Sequence, residues 1–290
     1  MTEPLAVGLV GAGPWSSMVT GPVLAAGPQT RLSGIWSRTA DHARELAGRL
    51  DVPAHDDLDV LFEGCDAVAI AVTPDAQPDL AIRAARAGKT LLLEKPLAEN
   101  VGRAQEIVDA IDEAGVGSLV MLTYRFDPGL DVFLADAARL EPVGGRGCFI
   151  SGAFLAGPFA SGWRLERGAV LDIGPHVLDL LEGGLGEIVA VEAAGDPLGW
   201  VSVNCTHASG ATSSASMCCS AATDSKTELE VYSAKGSAAY DARRVDWNAR
   251  ADRIRSDLAA VARGAHHHAS ATQGLHLQKL VAEIEAQLRA

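Results

Sequence analysis

The sequence predicts an α/β chain in two parts: a parallel, doubly wound sheet first, then an α+β part built on a mostly antiparallel sheet. Three observations carry this. Over residues 5–122, short apolar runs alternate with longer stretches whose apolar residues recur at spacings of three and four, the pattern of parallel strands joined by helices. Beyond residue 124, strand-like runs follow one another through glycine-containing turns such as HASGAT (207–212), as antiparallel strands do. The 290 residues, 48% of them apolar, suffice for two cores. The expected division is residues 1–122 and 123–290.

In the first part, strands are expected at 5–10 (LAVGLV), 31–36 (RLSGIW), 66–72 (DAVAIAV), 90–94 (TLLLE) and 118–124 (SLVMLTY). Each is a short run of buried-strand residues bounded by turn formers. Helices are expected at 41–50, 79–88 and 104–115, the last two closing on Gly88 and Gly115 in the manner of a C-terminal glycine cap. The second part reads as a helix at 128–139, a strand at 146–154 and a helix at 175–183. Strands rich in Val, Thr, Ser and Cys follow at 187–194, 199–207, 210–219 and 226–232, then helices at 253–263 and 271–289.

Bulk properties exclude several functions. A net charge of −13 argues against a surface that tracks nucleic-acid phosphates. No run approaches the ~18 apolar residues of a membrane span, and the acid-bearing start MTEPLAVGLVGAG lacks the basic region of an export signal. The five cysteines form no C-x-x-C pair and no even disulfide framework, so a reducing cytoplasm is the expected location.

Five stretches carry chemistry. In LVGAGPWSSMV, Gly11 and Gly13 stand between a buried strand and a helix, where a dinucleotide's pyrophosphate is held by a tight turn and helix N–H groups. This predicts a Rossmann domain. Ser16 occupies the place of the third glycine, small enough to fit against the strand or to donate to a phosphate. At the end of the second strand stand Ser37, Arg38 and Thr39, where an arginine suits the 2′-phosphate of NADP and an acid would suit NAD. NADP is favoured; the other reading leaves Arg38 on the surface, Ser37 or Thr39 as a helix cap, and Asp41 as the carboxylate for NAD. Thr73 and Pro74 follow the third long strand and are placed to line nicotinamide or its ribose, or to form a plain turn. In LLLEKP (91–96), Lys95 ends a strand on the same sheet edge, where a lysine can stabilise a developing alkoxide or simply be solvated. In GWRLERGAVLDIGPHVLDLL (162–181), Pro175 suits a helix's first turn, which puts Asp172 just ahead of the helix, His176 in its first turn and Asp179 a turn later. An acid and a histidine so placed can act as orienter and base, or cap and pack.

Together these stretches resemble the Gfo/Idh/MocA family of nicotinamide-dependent sugar and cyclitol oxidoreductases, over essentially the whole chain. The resemblance rests on GAGPW with Pro22 and Leu24, VTP at 72–74, EKP at 94–96, YRF at 124–126, WR at 163–164, the run from Asp172 to Asp179, and the closing GLHLQKLVAEIEA. It implies Lys95, Asp172 and His176 as catalytic residues, with the histidine moving the hydroxyl proton. Cofactor contacts are then expected from Gly11, Gly13, Pro14, Trp15, Ser16, Ser37, Arg38, Thr39, Thr73, Pro74, Glu94 and Lys95. Tyr124, Arg125, Trp163 and Arg164 are expected in the substrate pocket wall beside Asp172 and His176. The substrate is expected to be a small polyol or keto-sugar, and the second part's sheet to join copies into a homo-oligomer. A non-catalytic dinucleotide-binding sensor and a reductase of a non-sugar carbonyl or imine are the competing readings. Departures from the family pattern are Ser16, Thr20 and Pro78, each where histidine or glycine is common, and RGA at 167–169. His266, His267 and His268 are adjacent and cannot all face one ion, so no metal is expected.

Overall fold

The structure, a computed structural model, describes residues 3–160, 162–244 and 246–289. It divides into two compact units, Met1–Met121 with Ala251–His276, and Leu122–Arg250 with Leu277–Ala290.

The first unit is built on five parallel strands, β1 (Leu5–Val10), β2 (Thr30–Trp36), β3 (Ala67–Ile70), β4 (Thr90–Leu93) and β5 (Ser118–Val120), in the order β2-β1-β3-β4-β5. The helices are α1 (Gly21–Ala25), α2 (Ala40–Leu50), α3 (Leu58–Glu63), α4 (Gln77–Arg86) and α5 (Val101–Ala114). All of β3 and β4 is buried, as strands covered on both faces must be. The expected strands and helices are all present, with α1 and α3 added. The run at 118–124 stops at Val120 because β4 ends: Met121 N–H still donates to Leu93 O, and no further β4 carbonyl follows. Thr123–Phe126 instead forms a 3₁₀ turn. Beyond β2, residues 53–55 make a single parallel bridge, Ile35 to Ala54, with Ile35 N–H donating to Pro53 O and His55 N–H to Ile35 O. Counting that bridge, the sheet has the six-position order of a Rossmann domain, with its third strand reduced to one residue.

Helix α5 starts cleanly because the Asn100 side chain accepts from Arg103 N–H at 3.0 Å. Asn100→Ala is expected to cost about 1 kcal/mol of stability, read as a lower urea midpoint at unchanged slope.

The second unit carries α6 (Pro128–Leu140), α7 (Trp163–Arg167), α8 (Ala169–Leu185) and a six-stranded sheet. The strands are β6 (Gly144–Ile150), β7 (Ile188–Gly195), β8 (Val201–His207), β9 (Thr212–Cys218), β10 (Lys226–Ser233) and β11 (Gly236–Asp241), in the order β11-β10-β6-β9-β8-β7. Only β6 and β9 run parallel; the other pairs are antiparallel. In β8, Val201, Val203, Cys205 and His207 are buried while Ser202, Asn204 and Thr206 are exposed, so one face is core and the other open. Strand β11, GSAAYD, escapes sequence reading because it lacks the β-branched residues that mark its neighbours.

Helix α8 is the core of this unit. Val177 and Leu181 lie against Gly147, and Leu185 against Gly145, so a stripe at a spacing of four meets a strand thinned by glycine. The helix begins at Ala169, six residues before the expected start at 175, and Pro175 lies inside it. The expectation set Pro175 in a first turn, but every residue of α8 except Gly183 is buried, so no water-facing side marks the turns that precede the proline. A mid-helix proline loses one N–H bond and disfavours the helical region for its predecessor, and here that predecessor is Gly174, which has no Cβ to clash.

The chain closes with α9 (Trp247–Val261) and α10 (Ala271–Leu288). The expected division at 122/123 leaves all of 251–276 in the second part; the structure returns these residues to the first unit. The Arg255 guanidinium donates to Val23 O at 3.1 Å, Val120 N–H donates to Ala269 O at 2.7 Å, and Ala271 N–H donates to Ser118 Oγ at 3.0 Å. No described helix is long and apolar enough to cross a membrane.

Candidate active site

In the first unit the nucleotide turn is set by Gly11. Its φ is +112°, and a Cβ there would stand 2.3 Å from Ala71 O, so no other residue fits. Gly11 N–H donates to Trp36 O at 2.8 Å. The turn thus joins the carboxyl ends of β1, β2 and β3, where the strand order reverses and open α/β sheets bind ligands. Gly13 is exposed, with nothing within 4 Å of where a Cβ would stand, and Pro14 beside it is exposed too. The backbone is therefore open to close approach and fits a pyrophosphate. Trp15 is half-buried. Ser16 is buried and its hydroxyl donates to Ala71 O at 3.0 Å, so its side chain packs against the sheet.

Ser16–Thr20 is a π-helical turn running into α1, with Gly21 N–H reaching back to Ser16 O. Pro22 accounts for it, since a proline ring crowds the carbonyl four residues earlier and the wider turn relieves that crowding. Thr20 is buried, and its hydroxyl has no hydrogen-bond partner among the described residues.

At the end of β2, Ser37 Oγ accepts from Thr39 N–H at 3.4 Å, and Thr39 makes no side-chain cap to α2. Arg38 is exposed, with no ion pair among the described residues. Asp41 is occupied by Arg44, which also holds Asp56. After β3, Thr73 is exposed and Pro74 buried, and Thr73 O accepts from Ala76 N–H and Gln77 N–H. Lys95 is the only residue from Thr90 to Ala98 that is not buried, and the peptide bond to Pro96 is cis. Glu94 beside it is buried. The sequence reading passed over Gln77, whose buried side chain bonds to the backbone on both sides of Lys95.

In the second unit, Asp172 and His176 stand one turn apart on α8, both buried, with Asp172 in the first turn where a carboxylate suits the helix dipole. Arg164 Nε donates to Asp172 Oδ2 at 3.1 Å, and its guanidinium lies 4.5 Å over the Trp163 ring and 5.4 Å over Phe159. The His176 ring meets Tyr124 edge-on at 5.3 Å and Phe149 at 6.3 Å. The Tyr124 hydroxyl lies 3.0 Å from Thr227 Oγ1, and Arg250 is 5.2 Å over its ring. Burial pushes the Tyr124 phenol above its ordinary pKa, against the opposing pull of Thr227 and Arg250, so it stays protonated.

Of the expected pocket-wall residues, this unit therefore gathers Trp163 and Arg164 around Asp172, and Tyr124 around His176. Arg125 goes elsewhere. Its guanidinium is buried, donating to Asp179 Oδ2 at 2.6 Å, Oδ1 at 3.1 Å and the Asp179 carbonyl at 2.7 Å. Gly183 lets it lie across the helix, since a Cβ there would meet Nη1 at 2.9 Å. A two-toothed pair of this kind fixes the start of the unit to α8, which accounts for Arg125 and for Asp179. His267 Nδ1 accepts from Ala269 N–H at 3.1 Å, and its Nε2 lies 3.3 Å from Asp257. Among the described residues no three His, Cys, Asp or Glu side chains gather as metal ligands.

Residues 5–122 match the oxidoreductase family with an NAD-binding Rossmann fold, and residues 145–239 match the GFO/IDH/MocA C-terminal domain. D-apiose dehydrogenase of Paraburkholderia graminis is 33% identical over 137 residues, which are 46% of this chain and 36% of that protein. Levoglucosan dehydrogenase of Pseudarthrobacter phenanthrenivorans is 33% identical over 136 residues, 43% of this chain and 34% of that protein. The match thus spans about a third of the length of these curated relatives. Among solved structures, GenD2 from gentamicin A biosynthesis, in complex with NAD, superposes with a TM-score of 0.85 at 21% identity, covering 100% of this chain and 95% of that one, a likeness of fold. With a nucleotide-binding part and a C-terminal part that each match, the chain belongs to the Gfo/Idh/MocA family of oxidoreductases.

Proposed function

We propose that this chain moves a hydride reversibly between a nicotinamide dinucleotide and a secondary alcohol carbon of a sugar, cyclitol or related polyol. The observation that carries this reading is the pair Asp172 and His176, one turn apart on a buried helix of a chain that also has an open Gly11–Gly13 turn. A buried histidine and carboxylate at that spacing suit proton transfer to and from a substrate hydroxyl. The dinucleotide, when bound, supplies the hydride acceptor in one direction and the donor in the other. In oxidation His176 takes the hydroxyl proton and Asp172, itself steadied by Arg164, orients the exchange. Lys95 stabilises the negative charge that develops on the oxygen. The two curated relatives described above are named for sugars, which supports the substrate class. The test is a panel of polyols and keto-sugars with both cofactors, followed by nicotinamide absorbance. Turnover on one of them is expected; tight cofactor binding with no turnover on any would point to a sensor instead.

NADP is the cofactor this reading favours. Arg38 is exposed and outside any ion pair among the described residues, whereas Asp41 is paired with Arg44. Arg38→Ala is expected to weaken NADP by about 1.5 to 3 kcal/mol, the range for a charge-assisted hydrogen bond, and to leave NAD nearly unchanged. Fluorescence titration of both cofactors checks this, and equal losses would reverse the assignment. The polar open face of the second sheet, with Ser202, Asn204, Thr206 and Ser214 exposed, is the surface we assign to self-association, to be read by sedimentation of the intact chain.

A further inference from the structure

The segment that carries Lys95 has an unusual support. Gln77 is 1% exposed at the first position of α4, and both ends of its amide are used. Nε2 donates to Glu94 O at 2.8 Å and to Leu97 O at 2.9 Å, with Pro96 O at 3.3 Å, while Oε1 accepts from Glu94 N–H at 2.9 Å. The neighbours fix which end is which, because a reversed amide would turn its oxygen toward three carbonyls. The bonded groups belong to the residues on either side of Lys95 and Pro96. Gln77 N–H also donates to Thr73 O, so one residue ties the loop after β3 to the loop after β4.

Leucine would serve as well for packing at a buried helix start. A primary amide is needed only if the backbone it meets has carbonyls and an N–H that no strand or helix partner takes. That is the condition of a strand that stops at Leu93 and turns abruptly. The outcome is that, from Thr90 to Ala98, the one residue that is not buried, half-buried Lys95, is held on both flanks by a single side chain.

We propose that Gln77 is the positioning residue for Lys95, fixing the backbone from which the lysine leaves so that its ammonium group is delivered to one place. The hydrogen bonds of the Gln77 side chain go to backbone groups, so its proposed action runs through the lysine. The inference rests on the reading of Lys95 as the group that stabilises the oxyanion.

The test compares the wild type, Lys95→Met, Gln77→Glu and the double variant, with the substrate found in the polyol panel. Glutamate keeps the size of Gln77 and the acceptor for Glu94 N–H, but when ionised has no donor for the three carbonyls. Gln77→Glu is expected to lower kcat about tenfold or more, as a displaced catalytic group does, while cofactor Kd stays within about threefold. The double variant should be no slower than Lys95→Met alone, because a misplaced methionine has nothing further to lose. Gln77→Asn, which keeps the amide one methylene shorter, repeats the comparison should Gln77→Glu not fold. A slow Lys95→Met beside a Gln77 variant of wild-type kcat overturns the positioning role alone. Losses that multiply in the double variant also overturn it, since Gln77 would then act independently of the lysine. A Lys95→Met protein of near-normal kcat overturns the reading of Lys95, and the role of Gln77 with it.

Discussion

Replacing Lys95 with methionine is expected to lower kcat about a hundredfold or more while leaving the fold and cofactor affinity close to normal. The structure gives reasons for both halves of this. Lys95 is only half-buried, and the backbone that carries it is held through Glu94 and Leu97 by Gln77, so the lysine side chain is not what keeps the segment in place. Methionine retains most of the stem's volume and removes the charge. What disappears is a cation at the end of β4, and that matters when charge builds on the substrate oxygen more than when substrate binds. The loss should therefore fall on kcat rather than on KM alone. Steady-state kinetics and a cofactor titration on the same preparation check it. A normal kcat would make Lys95 a solvated loop residue.

His176→Asn is expected to cost about 10² to 10⁴ in rate and to flatten the acidic limb of the kcat/KM profile for alcohol oxidation. The sign follows from the chemistry. In that direction the base must be neutral to accept a proton, so activity should rise with pH through one ionisation of the free enzyme. Of its described neighbours, the Tyr124 phenol is kept protonated by burial and Asp172 is paired with Arg164, so neither is placed to replace it as the base. Asparagine is smaller and polar, and the ring contacts of His176 with Tyr124 and Phe149 are edge and tilted contacts that the fold should survive losing. Profiles of both proteins should be taken with a deuterated substrate, so that hydride transfer is at least partly rate-limiting. An unchanged limb at similar rate would assign the ionisation to another group and leave His176 as a packed core residue.

Much of this was readable in the residues, and the failures have physical causes. The first unit's strands are apolar runs flanked by turn formers, and such runs have few alternatives to a covered parallel sheet. Gly11 could be read because a strand-turn-helix context requires a residue free to take positive φ. The expected start of helix α8 falls six residues late, because periodicity reports a boundary between core and water and α8 is buried at every residue but Gly183. Arg125 looked like a pocket residue since nothing in YRF says that Asp179, over fifty residues on, will neutralise it. Gln77 was invisible for a similar reason: a glutamine before a proline at a helix start is unremarkable until the carbonyls of residues 94 to 97 are seen around it. The return of 251–276 to the first unit is a long-range pairing, carried in part by a single arginine on Val23 O, which local sequence does not signal.

The one-residue bridge at Ala54 has a consequence for how this protein behaves in crowded solution. A parallel sheet that stopped at β2 would offer a row of free backbone donors and acceptors, a ready template for a strand from another molecule. Here the half of β2 nearest its carboxyl end is closed, because Ile35 spends both its N–H and its carbonyl on residues 53 and 55. The capping segment is a single bridged residue, Ala54, too short to act as a strand for further pairing. At the other half Arg31 is exposed, a charge that an incoming strand would have to desolvate. The shortened third strand therefore works as a stopper: the sheet ends in a form that aggregation cannot readily extend.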